Sequence, residues 1–142
     1  MIAIGCDHGG YELKLEVIKH LVERGFEVKD FGCNDTSSCD YPVYGKKVAN
    51  AVADGECELG ILICGTGIGM SMVANKVKGV RAALCSDCFS AQATKEHNNA
   101  NVLCMGARTV GPGLALMIVD YFVDTPFSND ERHVRRISMI ED

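Results

Sequence analysis

The chain has 142 residues, of which 47% are hydrophobic and 23% charged, and its net charge is −5. This length suits one domain, residues 1–142, with a single sizeable core. The negative charge argues against general nucleic-acid binding, which needs a basic surface, and no apolar run approaches the ~20 residues that cross a bilayer. We expect a cytoplasmic protein whose eight cysteines are mostly free thiols in a reducing compartment.

Strand-like and helix-like segments alternate along the whole chain. Short apolar runs predict five strands, at residues 1–6, 26–31, 59–64, 80–85 and 102–105. Helical spacing, as in Leu13, Val17 and Leu21, predicts helices over 11–24, 42–54, 70–76, 88–97 and 113–122. The sequence from Ser128 to Glu131 resembles a capping box and predicts a last helix over about 129–140.

This alternation predicts an α/β fold of three layers. An open, Rossmann-like, five-stranded parallel sheet would carry helices on both faces. In such sheets ligands bind beyond the carboxyl ends of the strands. That rule selects the residues that follow the strands, which are Asp7, His8, 64–69, Ser86, Asp87 and 106–108.

A glycine-rich turn follows the third strand. Gly65, Gly67 and Gly69 free the backbone to point several N–H groups into one concavity, which suits a phosphate or the oxyanion of an enediolate. The turn lacks the Gly-Lys-Ser/Thr of a P-loop, and its third glycine comes one residue early for a dinucleotide site. Asp87, roughly 20 residues on, nevertheless lies where a ribose-binding acid would lie. The alternative is a tight turn without a ligand.

Cys64 ends the strand directly before this turn. Backbone N–H groups there would stabilise a thiolate, which could act as a base or a nucleophile, although a cysteine at a strand end is often only packed. Asp7 and His8 place a carboxylate and an imidazole at the same edge of the sheet. Alternatively, Asp7 caps the first helix and His8 is merely exposed.

Two further groups have weaker sequence signals. His97 and Asn98 close a helix, where the helix dipole and C-capping already favour these residue types. Arg132 and Arg136 lie four apart on one face of the last helix and could hold a phosphate together, or they could belong to a solvated face. Arg135 fits the solvated face better, because Glu131 lies four residues before it.

The cysteines allow other readings. Cys85 and Cys88 form a CxxC, which would suit a redox pair, while a zinc site would need two more ligands. Cys33 and Cys39 share one loop and could pair on oxidation. No function is assigned to Cys33, Cys39, Cys57 or Cys88.

Taken together, these residues resemble the type B family of ribose-5-phosphate isomerases. That family also contains allose-6-phosphate isomerase and both subunits of galactose-6-phosphate isomerase. The likeness covers the whole chain and rests on segments in the same order, at 5–10, 40–42, 60–69, 74–76, 90–91, 97–98, 106–108, 132–133 and 136.

The resemblance implies an intramolecular oxidoreductase of carbohydrate metabolism, in the pentose phosphate pathway. It would interconvert ribose 5-phosphate and ribulose 5-phosphate through a cis-enediolate, with no metal and no cofactor. Family members are homodimers or dimers of dimers with shared active sites. A six-carbon substrate, allose 6-phosphate or galactose 6-phosphate, is one alternative. Non-catalytic nucleotide binding at Asp87 and thiol–disulfide exchange at Cys85 and Cys88 are alternatives of other classes.

The resemblance also implies residue roles. Cys64 would be the base, His97 would assist opening of the sugar ring for the neighbouring subunit, and Asp7 would contact the ring or the proton path. Some relatives carry a glutamate where this chain has Ile68, so Cys64 has no obvious substitute. The enediolate would lie on Gly65, Thr66, Gly67, Ile68 and Gly69, with Thr66 also positioning the substrate. Tyr41 and Asn98 would contact the sugar, and the phosphate would be held by His8, Arg108, Arg132 and Arg136.

Overall fold

A computed structural model describes residues 1–142. The strands are β1 (Ile2–Cys6), β2 (Val28–Asp30), β3 (Leu59–Cys64), β4 (Ala82–Leu84) and β5 (Val102–Gly106). The helices are α1 (Tyr11–Glu23), α2 (Tyr41–Ala53), α3 (Ile68–Ala74), α4 (Cys88–Asn98), α5 (Pro112–Asp124) and α6 (Glu131–Glu141), and a 3-10 turn (His8–Gly10) precedes α1. None of these helices is long and apolar enough to cross a membrane.

The strands form one parallel sheet in the order β2-β1-β3-β5-β4. The predicted five-stranded parallel fold is confirmed. The register pairs Cys6 with Ile63 and Cys64 with Gly106, so the carboxyl ends of β1, β3 and β5 lie nearly level. The loops that follow these three strands therefore meet at one edge.

Side chains of the strands alternate between two cores. Ile61 and Ile63 of β3 join the core beneath α1, α4 and α5, whereas Leu62 and Cys64 join the core beneath α2 and α3. This follows from the two-residue period of a strand, and burial on both faces explains the continuous apolar runs of β1, β3 and β5. The sheet thus forms the middle of three layers, as predicted.

The structure changes several element boundaries. Strands β2 and β4 are shorter than predicted, because both lie at edges of the sheet where only one neighbouring strand supplies hydrogen bonds. Helix α3 begins at Ile68 rather than at residue 70, directly after Gly67, whose φ of +79° is left-handed.

The capping box predicted at Ser128 is wrong. Asp130 is the N-cap of α6, and its carboxylate accepts a hydrogen bond from the backbone N–H of Arg132 at 3.0 Å. The Oγ of Ser128 accepts from the backbone N–H of Asp130 at 3.2 Å and pairs with Nδ1 of His133 at 2.9 Å. The serine therefore contacts a histidine inside α6 instead of capping the helix.

Candidate active site

The loops after β1, β3 and β5 are joined by backbone hydrogen bonds at the carboxyl edge. Asp7 donates its N–H to the carbonyl of Ile63 at 3.2 Å, and Ala107 donates to the carbonyl of Cys64 at 2.8 Å. Arg108 donates in turn to the carbonyl of Gly65 at 3.0 Å. These bonds bring three predicted site segments together in one place.

Cys64 is the last residue of β3 and lies among these loops. Its side chain is 5% exposed, and its Sγ accepts a hydrogen bond from the backbone N–H of Gly67 at 3.1 Å. Gly67 itself has a left-handed φ of +79°, and helix α3 begins directly after it. The sulfur at the end of β3 thus has a backbone donor within hydrogen-bond distance.

Glycine is required at position 67 by the space around it as well as by its φ. A Cβ built on Gly67 would lie 2.5 Å from Cδ1 of Leu84 and 2.8 Å from the carbonyl carbon of Met105. The next backbone N–H, that of Ile68, is bound to Oγ1 of Thr66 at 3.2 Å. Thr66 thus stabilises the turn through its own hydroxyl.

Asp7 and His8 occupy the neighbouring loop. The Oδ1 of Asp7 accepts from the backbone N–H groups of Gly9, at 2.9 Å, and Gly10, at 3.2 Å, so Asp7 caps the 3-10 turn, whereas the N-cap of α1 is Gly10. The Nδ1 of His8 accepts from the backbone N–H of Cys39 at 3.3 Å. A neutral ring held in this way carries its proton on Nε2, which can then donate to an anion.

Arg108 and Tyr41 flank the glycine turn. A Cβ built on Gly65 would lie 3.6 Å from Cδ and 3.7 Å from Nε of Arg108, so the guanidinium group lies over this glycine. A Cβ built on Gly69 would lie 2.7 Å from the ring of Tyr41. Both side chains are exposed to solvent.

The remaining predicted residues lie elsewhere. His97 and Asn98 end helix α4, and the His97 ring lies on the His133 ring of α6 with 4.6 Å between centroids. Arg132 and Arg136 are exposed on the same helix α6. His133 itself is buried, and burial together with the positive charges of His97 and Arg132 lowers its pKa.

Helix α4 starts at the carboxyl edge of the sheet and runs back to the opposite edge. After its end, Asn101 accepts a hydrogen bond from the backbone N–H of Gly60 at 2.8 Å, at the amino ends of the strands. Cys64 pairs with Gly106, four residues further along β5 than Val102, which corresponds to roughly 13 Å. One chain therefore does not bring His97 to its own Cys64.

Comparisons with known proteins identify the family of this chain. The chain matches the family model described as Ribose/Galactose Isomerase over residues 2–140. It belongs to this family. The similarity to the type B isomerases noted in the sequence is thereby confirmed.

Relatives in the ribose/galactose isomerase family match along nearly their full length. The chain is 51% identical to ribose-5-phosphate isomerase B of Escherichia coli, covering 98% of this chain and 93% of the relative. It is 41% identical to the galactose-6-phosphate isomerase subunit LacB of Clostridium acetobutylicum, covering 100% of this chain and 82% of the relative. The solved structure of ribose-5-phosphate isomerase B from Clostridium thermocellum superposes with a TM-score of 0.97 at 51% identity. The match covers 99% of this chain and 94% of the solved chain.

Asp87 and the CxxC of Cys85 and Cys88 were the alternative functional sites, and the structure favours neither in this member of the ribose/galactose isomerase family. The Asp87 carboxylate caps α4 by accepting from the backbone N–H of Ser90 at 2.6 Å and from its hydroxyl at 2.8 Å, and these bonds lower its pKa. Asp87 is therefore not free to bind a ribose. Burial raises the pKa of Cys85 to about 11, which disfavours a redox role for the CxxC.

The largest cavity, of about 560 Å³, does not contain Cys64. It lies between the loop before β4, the end of α4 and the end of α6, and Asn98 is the only predicted site residue that lines it. Two contacts near the predicted site residues were not predicted from the sequence, namely the packing of His133 against His97 and the hydrogen bond between Cys39 and His8. The burial of His133 could have been predicted only from its position on the inner face of α6.

Proposed function

We propose that this chain is an aldose–ketose isomerase that interconverts ribose 5-phosphate and ribulose 5-phosphate. The observation that carries the proposal is the Cys64 Sγ, held by the Gly67 N–H at the carboxyl edge of the sheet beneath Arg108. Its relatives named ribose-5-phosphate isomerase B support the choice of substrate. The whole chain acts as one isomerase domain, and α6 supplies phosphate-binding arginines.

The Cys64 thiolate acts as the base. It removes the proton from C2 of the open-chain aldose, and the electrons of that bond form the enediolate while negative charge develops on O1. The proton returns to C1, and the hydroxyl proton of O2 moves to O1, which leaves the ketose. A base at this position contributes about 10²–10⁴-fold to the rate.

The backbone N–H groups of the 65–69 turn that are not bonded to Cys64 or Thr66 stabilise the enediolate. Donors that already point at the developing charge need no reorganisation during the reaction. The route is expected to need no metal ion, because these donors provide the stabilisation that a metal would otherwise supply. Thr66 stabilises the turn through its hydrogen bond to the N–H of Ile68. Asp7 stabilises the adjacent loop through its capping hydrogen bonds.

The phosphate is held by cationic and imidazole donors. His8 offers Nε2–H, because Cys39 occupies its Nδ1, and Arg108 lies over Gly65. Arg132 and Arg136 add charge-assisted hydrogen bonds from α6. Such remote binding energy positions C1 and C2 against Cys64, while Tyr41 and Asn98 contact the sugar.

The active site is shared between two copies of the chain. His97, Asn98, Arg132 and Arg136 serve the Cys64 of a partner subunit, since their own Cys64 lies at the other edge of the sheet. The surface around the glycine turn supports this, because Ile68, Met72, Leu84 and Phe89 are 43–78% exposed there. An apolar surface of this kind is typical of an interface, and we propose a homodimer or a dimer of dimers.

A catalytic thiol also bears on location. Cys64 must remain reduced to act as a base, and all eight cysteines are free thiols in the structure. We therefore propose that the enzyme works in the reducing environment of the cytoplasm.

The test is conversion of ribose 5-phosphate to ribulose 5-phosphate in the presence of EDTA. Wild-type protein should turn over, and Cys64→Ala should lose about 10²–10⁴-fold in kcat. Cys57→Ala is the matched control, since Cys57 is equally buried in the same core but away from the turn. Activity that survives in Cys64→Ala would remove the cysteine from its role. Wild-type protein that acts on allose 6-phosphate or galactose 6-phosphate but not on ribose 5-phosphate would contradict the proposed substrate.

A further inference from the structure

Arg81 binds two segments that carry predicted site residues. It directly precedes β4, and 19% of its side chain is exposed. Its Nε donates to the backbone carbonyl of Asn98 at 3.1 Å, and its Nη2 donates to the carbonyl of Asn99 at 2.8 Å. Its Nη1 donates to Oε1 of Glu141 at 2.6 Å. One guanidinium group therefore joins the end of α4 to the end of α6.

The end of α4 needs donors from outside the helix. The last carbonyl groups of a helix have no partner within it, and a cation there also offsets the negative end of the helix dipole. The C-cap Asn99 has a left-handed φ of +44°, so α4 ends at Asn98. Arg81 is itself fixed, because its backbone N–H donates to Oδ1 of Asn101 at 2.8 Å. The backbone next to His97 is therefore held by a residue of another element.

Helix α6 buries little of its own surface. His133 is its only buried residue, and the His133 ring packs on the His97 ring near the start of the helix. Glu141 is the last residue of α6, eight positions after His133, and it forms the ion pair with Arg81. The helix is thus held near both of its ends, and Arg136 lies between the two contacts. Loss of the Arg81 contact would leave the second half of α6 without this attachment.

We propose that Arg81 is a positioning residue, which holds the end of α4 and helix α6 in the arrangement that the partner subunit's active site requires. Each of its three guanidinium nitrogens is engaged by a carbonyl or a carboxylate, so it acts through the backbone of α4 and through Glu141 rather than on the substrate. The proposal rests on the proposed function, because it needs His97 and the arginines of α6 to serve the partner subunit's Cys64. A lysine could replace the arginine only in part, since an ammonium group lacks the planar fork of a guanidinium group.

The test places an Arg81 substitution in one chosen subunit of a hybrid dimer. One subunit carries Cys64→Ala and supplies His97, the other carries His97→Ala and supplies Cys64, and two affinity tags isolate the hybrid. Arg81→Ala in the subunit that supplies His97 should lower the activity of the one intact site about tenfold to a hundredfold, as a small displacement of a positioned group does. Arg81→Ala in the subunit that supplies Cys64 should leave the activity unchanged, because α4 and α6 of that subunit serve the disabled site.

Arg24→Ala in the subunit that supplies His97 is the matched control. Arg24 is also hydrogen-bonded to carboxylates, but those of Asp120 and Asp124, so it joins α1 to α5, and its loss should leave the hybrid activity unchanged. Arg81→Lys should retain more activity than Arg81→Ala, and it keeps the test possible if Arg81→Ala fails to fold. Equal loss of activity with the Arg81 substitution in either subunit, or no loss in either, would overturn the proposal.

Hydrogen exchange on the full-length protein measures the same contacts without any activity. In Arg81→Ala, backbone amides in the last turn of α4 and in α6 should exchange about tenfold faster than in wild type, while those of α1 and α5 should not. In Glu141→Ala the faster exchange should be confined to α6, because Arg81 still binds the carbonyl groups of α4. Unchanged exchange in α4 and α6 of Arg81→Ala would overturn the proposal. Faster exchange there in a protein whose wild type has no isomerase activity would instead contradict the proposed function.

Discussion

The Sγ of Cys64 lies 3.1 Å from the backbone nitrogen of Gly67, which donates its N–H to the sulfur. The two positions are three apart in the sequence, and the left-handed φ of +79° at Gly67 then directs the chain into α3. The proposed base and its N–H donor therefore come from one tight turn at the end of β3. The conformation of this turn is the feature of the site most sensitive to substitution.

Replacing Gly67 tests that sensitivity. Gly67→Ala places a Cβ against Leu84 and the Met105 backbone in a backbone conformation that disfavours any side chain. Gly55→Ala is a matched control, because Gly55 has the same φ of +79° and a Cβ there meets nothing within 4 Å. We expect Gly55→Ala to lower the free energy of unfolding by about 1 kcal/mol and Gly67→Ala by about 1–3 kcal/mol more.

Urea unfolding measures both variants, and the isomerase assay follows. Gly67→Ala should also lose most of kcat, because its N–H no longer points at Cys64, whereas Gly55→Ala should retain wild-type turnover. Equal unfolding free energies for the two variants would show that the Leu84 and Met105 contacts do not constrain the turn.

Hybrid dimers test whether the active site is shared. Cys64→Ala and His97→Ala proteins should each be nearly inactive, yet a hybrid of the two has one site with both wild-type groups. Random mixing of subunits should restore about one quarter of wild-type activity, since about half of the dimers are hybrids and each has one intact site. The two proteins are unfolded together, refolded and assayed. A mixture no more active than its components would place both groups in one chain's site.

The arginines of α6 differ in their expected effects. Arg132→Ala and Arg136→Ala each remove a charge-assisted hydrogen bond to the phosphate and should raise the KM for ribose 5-phosphate about tenfold or more. Arg135→Ala, one position before Arg136 and also exposed, should leave the KM unchanged. Steady-state kinetics measures the KM for ribose 5-phosphate of the three variants. A raised KM in Arg135→Ala alone would assign the phosphate to the other face of α6.

His133 should make the stability of the protein depend on pH. Its pKa is lowered by burial and by the charges of His97 and Arg132, so the folded protein binds this proton less readily than the unfolded chain. The free energy of unfolding should therefore be highest above the ordinary histidine pKa of about 6.5. It should fall as the pH decreases from there toward the lowered pKa of His133.

Urea unfolding at several pH values between about 8 and about 5 measures this loss. His133→Gln should flatten the dependence, because glutamine does not titrate. A variant whose unfolding free energy falls with pH as steeply as that of wild type would show that the loss originates in other groups.

Much of the fold follows from local sequence. The five apolar runs, the helical spacing between them and the glycines after β3 predicted the parallel sheet and the edge at which Cys64, Asp7, His8 and Arg108 meet. These features depend on periodicity and on backbone conformations that particular residue types adopt, so they can be predicted from short segments of the chain.

Other features were decided only by tertiary contacts. Strands β2 and β4 shorten because of their place at the sheet edges, and the His133 ring packs on the His97 ring because α6 lies against α4. The separation of His97 from Cys64 depends on the direction in which α4 crosses the sheet, and the partner of His8 comes from a residue 31 positions away. Such long-range contacts depend on how the elements pack in three dimensions, so no local pattern in the sequence specifies them.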